Sequence, residues 1–165
     1  MLSAKLDPMK IIEPKDDSEK EQIKSRIWFF LNRADKMILA YINELGEPVQ
    51  SMMLYAIDDD MNFYFGTLKR FPKYEFLVNN PPLSILVQEP NANPKMAVSV
   101  KAAIVEEIDG EKLKERLRWF SEKNSCKYYI KDQDDFIMFK AKTLSARLID
   151  GNSEKIIRYD LNILD

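Results

Sequence analysis

Histidine is absent from all 165 residues. That absence excludes Ser-His-Asp triads, Cys-His pairs, HExxH zinc sites and histidine-ligated haem, because each needs an imidazole as base or ligand. It also excludes a histidine switch near neutral pH. Cysteine occurs once, at Cys126, so the chain can hold neither an intrachain disulfide nor a CxxC metal or redox motif. No apolar run approaches the about 20 residues that a membrane-spanning helix needs. Charge of one sign is lacking too: 25 basic residues stand against 27 acidic ones. A net charge of -2 gives no strong attraction to nucleic acid or to an anionic membrane. Residues 1–17 are polar, carry Pro8 and Pro14, and lack the apolar centre of a signal peptide. A cytoplasmic location is therefore expected.

What is present describes an ordinary globular domain, 45% hydrophobic and 32% charged. The length suits one domain with a real core. Residues 1–17 read as an N-terminal arm, and residues 18–165 as the domain. Ser18 and Glu21 fit a capping box. Ile23, Ile27, Phe30, Leu31 and Ala34 follow at helical spacing, which predicts a helix over about 19–34. Three strands are expected next, at 37–42, 48–57 and 62–67, joined as a meander by turns at Glu44–Glu47 and Asp58–Asp60. Pro72 suits a first helical position, and Asn79-Asn80-Pro81-Pro82 stops that helix. Strands at 83–88 and 95–107 flank a loop at Pro90–Pro94. A helix capped by Asp109 follows, with Ile108 and Leu113 as a hydrophobic staple. Strands at 136–141, 146–149 and about 155–159 complete the order. This order is not parallel βαβ alternation. It predicts an α+β fold, a small antiparallel barrel with peripheral helices.

The stretch FYFGTLKRFPKYEFL, Phe63 to Leu77, holds the most chemistry. A strand ends at Gly66-Thr67, a loop carries Lys69 and Arg70, and a helix opens at Pro72 with Lys73 in its first turn. Unsatisfied N–H groups and the positive dipole end at a helix start favour an anion. Converging cations and the Thr67 hydroxyl add to this, so the spacing fits a phosphate site. From spacing alone a solvated loop with ordinary surface lysines is the commoner account, because helix starts with nearby cations are common. Gly66 has no side chain, which would let a ring lie against the backbone; a strand-end kink is the other account.

Set in order, MILAYINELGEPVQSMMLYAIDDDMNFYFGT and LKRFPKYEFLVNNPPLSILVQ resemble the pyridoxamine 5'-phosphate oxidase-like FMN-binding split-barrel family, in its general stress protein-like branch. The resemblance implies an antiparallel Greek-key split β-barrel with peripheral helices. It implies FMN as cofactor and a homodimer with the flavin at the subunit interface. Carried over by position, Lys73 is the lysine that holds the FMN phosphate and Thr67 the threonine that closes the strand beneath the flavin; with Arg70, two positions before Pro72, standing in for the family arginine, these three are expected to bind the phosphate. Gln50, Ser51, Met52 and Met53 fall on the strand that faces the flavin ring, and Phe65 and Gly66 on the strand beside it. The implied function is a flavin-dependent oxidoreductase acting on a small-molecule substrate or electron acceptor, with NADH or NADPH as candidate donor. The alternative is a non-catalytic flavin- or anionic-ligand-binding dimeric module. Pro72 and Phe71 stand where the family has arginine and serine. The Arg-x-His substrate motif of the true oxidases is absent, as are the histidines of haem-binding relatives. No catalytic side chain and no metal ligand are assigned.

Other candidates have plainer accounts. Asp58-Asp59-Asp60 lacks the glycine and later glutamate of a calcium loop and reads as a hairpin turn. Cys126 beside Lys127 is read as an inert thiol. Trp119 and Phe120 are read as core aromatics. Lys112 to Arg118, interleaved with Glu111 and Glu115, reads as a salt-bridged helix face.

Overall fold

The computed structural model describes residues 9–88, 95–124, 134–151 and 156–163. Among these residues the order is β1 (Lys10–Ile12), α1 (Asp17–Arg33), β2 (Lys36–Ile42), β3 (Pro48–Leu54), β4 (Ala56–Ile57), β5 (Phe63–Leu68), α2 (Pro72–Asn79), β6 (Pro82–Gln88), β7 (Met96–Ile108), α3 (Gly110–Lys123), β8 (Phe136–Asp150) and β9 (Ile157–Asn162). The fold is α+β. The strands form one mixed sheet in the order β1-β9-β8-β7-β6-β2-β3, with β4 paired to β5 and β5 to β8. All pairs are antiparallel except β1 with β9. The sheet is not closed.

Local chemistry sets the element ends. The α1 cap lies two residues before the expected one. The Asp16 carboxylate accepts from the Glu19 N–H at 2.9 Å, and the Glu19 carboxylate accepts from the Lys15 N–H at 2.9 Å. Asp16 is thus the N-cap, with Glu19 reaching back to the N–H one residue before it, and Ser18 lies inside the helix. Pro72 opens α2 as expected, and the Asn80 N–H closes it on the Phe76 carbonyl at 3.0 Å. The Asp58 turn also matches. Its carboxylate accepts from the N–H groups of Asp60 and Asn62, while Met61 adopts φ 62°.

Three pairings differ from the expected ones. The strand expected over 48–57 breaks at Tyr55, whose N–H donates to Asp35 and whose hydroxyl donates to the Leu31 carbonyl of α1 at 2.6 Å. The hairpin across Asp58–Asp60 forms through β4 and β5 alone, β3 does not pair with β5, and the other edge of β5 pairs with β8. The two strands expected over 136–149 are one, β8. Thr143, polar enough to read as a break, faces inward and donates to the Met61 carbonyl at 2.5 Å. Residues 10–12, placed in the arm, add β1 to the sheet. The Pro90–Pro94 loop, Ser125, Lys155 and residues 1–8 of the expected arm lie outside the described residues.

The main core joins Ile23, Ile27, Phe30 and Leu31 of α1 to one face of the sheet. A second core holds Ala56, Tyr64, Ile108, Phe120 and Met138, with Leu113 packed on it. β5 lies between the two, sending Phe63 and Phe65 to the first and Tyr64 to the second. This explains an aromatic-rich strand without polar alternation, since each buried aromatic contributes roughly 1.5–3 kcal/mol.

Candidate anion site

Among the described residues strand β3 is a sheet edge, hydrogen-bonded to β2 alone. It comes close to β5 without pairing with it, and α2 follows β5 through the turn Leu68–Phe71. The pleat of β3 divides the four predicted residues. Ser51 and buried Met53 point to the side of the main core, whereas Gln50 and Met52 point away, Met52 being 74% exposed. Ser51 Oγ lies 3.2 Å from the Tyr41 hydroxyl. The Tyr41 ring stacks on Phe76 of α2, with centroids 6.5 Å apart. Tyr41 is a lining residue that the sequence pattern does not separate from core.

Lys73 sits in the first turn of α2, half-buried. Its ammonium donates to Met53 Sδ at 3.2 Å. A thioether is a weak acceptor. Among the described residues no carboxylate lies within ion-pair distance of Lys73. Burial pulls its pKa below the ordinary lysine value. The N-cap residue Phe71 supplies no side-chain bond to the helix start. Thr67 is buried on the same face as Phe65, and its hydroxyl makes no hydrogen bond among the described residues. A desolvated cation at an uncapped helix N-terminus is suited to an anion.

The other predicted residues have partners already. Arg70 is ion-paired, its Nη1 2.6 Å from Asp135 Oδ1, and its guanidinium lies over the Phe71 ring. Lys69 lies 4.0 Å from Asp109 and over the Tyr74 ring. Gly66 does admit a ring against the backbone, and that ring is Phe136. A Cβ at Gly66 would stand 2.7 and 2.9 Å from Phe136 Cε2 and Cε1. Phe65 is fully buried against Phe139.

The remaining candidates fall into structural roles. Trp119 packs edge-on to Tyr64, and Phe120 is buried in the second core. Burial, then the charge of Asp58, raises the Tyr64 pKa to about 12. The Asp58 carboxylate is spent on its own turn and on the Tyr64 hydroxyl. Lys114–Glu111 and Lys112–Glu106 are exposed ion pairs. Cys126 and Lys127 lie outside the described residues. Among those residues no cluster of His, Cys, Asp or Glu could hold a metal, and no helix is long and apolar enough to cross a membrane. Two surface clefts, of about 250 and about 470 Å³, lie elsewhere, against α3 and at the start of α1.

Fold and site together define an α+β sheet protein with a half-buried lysine in the first turn of a helix that has no side-chain cap, beside an open strand edge. Among solved structures, the chain has the fold of the pyridoxamine 5'-phosphate oxidase-like proteins. It is similar to a pyridoxamine 5'-phosphate oxidase-related, FMN-binding protein from Nostoc punctiforme, at 15% identity and TM-score 0.60, covering 82% of this chain and 88% of that one. An F420 reductase matches at 17% identity and TM-score 0.61, over 72% and 93%. A haem-binding protein from Mycobacterium smegmatis matches at 16% and 0.61, over 78% of this chain and 56% of that one. No family model matches the chain, and no curated protein matches it in sequence.

Proposed function

We propose that the protein is an FMN-binding member of the pyridoxamine 5'-phosphate oxidase-like group and works as a flavin-dependent oxidoreductase. The observation that carries this reading is Lys73: half-buried, held to a thioether, without a carboxylate among the described residues, at an uncapped helix start. A phosphate monoester supplies the charge that this ammonium lacks. Thr67 offers it a hydroxyl, and the edge of β3 offers unpaired backbone groups to a ring. Once bound, FMN would supply the redox chemistry, and the chain would supply position and electrostatics. A haem is less well served, because the chain has no histidine to ligate it.

The reading includes a Greek-key split barrel divided between β3 and β5, and a homodimer. The dimer is supported by a cross-strand row on the outer sheet face. Met52, Ile38 and Leu86 are paired neighbours across β3, β2 and β6, all exposed. A row of this kind suits an interface between copies. A partner on this row would lie across the open edge of β3, on the face opposite Met53.

Absorbance of the purified protein, with titration of FMN and riboflavin, tests the proposal. The expected result is a yellow protein that prefers FMN. Lys73→Met should lower FMN affinity roughly 10- to 100-fold, the cost of one charge-assisted contact, and leave riboflavin binding unchanged. A colourless protein that fails to bind added FMN refutes the cofactor. Absence of turnover with NADH or NADPH in the loaded protein would leave a binding module in place of an enzyme.

A further inference from the structure

The turn before α2 is held from 65 residues away in sequence. Asp135 stands one step beyond the β5–β8 ladder, whose final pair is Leu68 with Phe136. Its carbonyl accepts from the Lys69 N–H at 2.9 Å. Its carboxylate accepts from the Arg70 N–H at 3.3 Å and from the Arg70 guanidinium at 2.6 Å. Immediately after this clamp the Phe71 N–H bonds back to the Leu68 carbonyl at 3.0 Å, and the Tyr74 N–H to the Phe71 carbonyl at 2.9 Å. These bonds set where α2 begins, and thus where Lys73 is carried.

We propose that Asp135 is a positioning residue for the anion site: it clamps the Lys69–Phe71 turn so that α2 presents Lys73 between β3 and β5, and Arg70 acts through Asp135 instead of contacting the ligand. The inference rests on the anion-site reading above. An ion pair at this exposure adds little to global stability, its partners being 56% and 28% exposed. Its effect is local. It replaces a solvated turn by one with a fixed entry into the helix, which lowers the ordering cost when an anion binds.

The test uses FMN and riboflavin as paired probes, since they share the ring and differ in the phosphate. Asp135→Ala should lower FMN affinity about three- to tenfold, the scale of one or two exposed polar contacts, and leave riboflavin affinity unchanged. Arg70→Gln, which keeps the backbone N–H bond to Asp135, should show part of that loss, and the double variant no more than Asp135→Ala alone, because both act on one clamp. Exchange of the Arg70 amide should accelerate in Asp135→Ala. If that variant does not fold, Asp135→Asn serves, with a smaller loss in the same direction. Tighter FMN binding in Asp135→Ala, which releases the Arg70 guanidinium, or losses that multiply in the double variant, would make Arg70 a direct phosphate ligand and overturn the proposal; tighter FMN binding in Arg70→Gln would overturn it as well. An undiminished FMN preference in Asp135→Ala would overturn it as well. If the wild-type protein shows no preference for FMN over riboflavin, the anion site itself is refuted, and the exchange of the Arg70 amide then reports only whether the clamp exists.

Discussion

Replacing Gly66 by alanine probes the strand that carries the site. Gly66 lies in β5, and the ring of Phe136 covers its Cα from the neighbouring β8. A new Cβ would meet Phe136 Cζ in hard overlap and the Cε atoms at 2.7 and 2.9 Å. To regain ordinary contact the ring must withdraw by roughly 1 Å or more, and such overpacking costs about 1–3 kcal/mol. Alanine returns about 0.5–1 kcal/mol relative to glycine inside a strand. The net expectation is a loss of about 1–2 kcal/mol, or about 2–8 °C in Tm for a domain of this size. Urea unfolding measures it as a lower midpoint at unchanged m-value. Phe136→Leu removes the ring edge, and in that background Gly66→Ala should be neutral or stabilising, a coupling of at least about 1 kcal/mol. A neutral Gly66→Ala in the wild-type background, or additive losses in the double variant, would refute the claim that Phe136 is what this glycine accommodates.

Asp16→Ala should destabilise by about 1 kcal/mol in urea, because it uncaps the Glu19 N–H, whereas Ser18→Ala should change stability by a few tenths at most. Lys73→Met should be more stable than wild type near neutral pH. The folded pKa of Lys73 lies below the unfolded value, so the unfolded state binds more protons in the window between the two. Wild-type stability therefore rises through that window, and the advantage of the variant should fade as pH approaches 10.5; an advantage independent of pH would contradict the burial argument.

Local signals carried the elements whose ends are chemical. Pro72 and Asn80 bracket α2 where the sequence predicts it. The start of α1 was displaced because two overlapping capping patterns compete, and the earlier one, Asp16 with Glu19, captures the free N–H groups. Pairing was harder to read. Nothing near Phe63–Leu68 in sequence says that its partner is Phe136–Ala141 instead of β3. Within the site, Lys73 was legible because a cation in the first turn of a helix is a local pattern. The division of Ser51 and Met53 from Gln50 and Met52 follows from the pleat, once the register of β3 is known. The clamp by Asp135 and the cover by Phe136 join residues far apart in sequence, and no spacing encodes them.

The single parallel pair, β1 with β9, sets an order of events during synthesis. A ribosome releases Lys10–Ile12 first and Ile157–Asn162 last, so the earliest strand waits for the latest before it can join the sheet. β8 imposes the same delay on the centre, because β5, β7 and β9 all dock on it. Until β8 emerges, β5 and β7 each keep one unpaired edge, and the core around Phe63, Phe65, Val98 and Val100 lacks Ile137, Phe139 and Leu148. Contacts of such long sequence separation slow folding and leave apolar strands exposed to one another. A truncation before Phe136 removes the strand that joins the two cores, and should yield aggregate instead of a smaller folded domain.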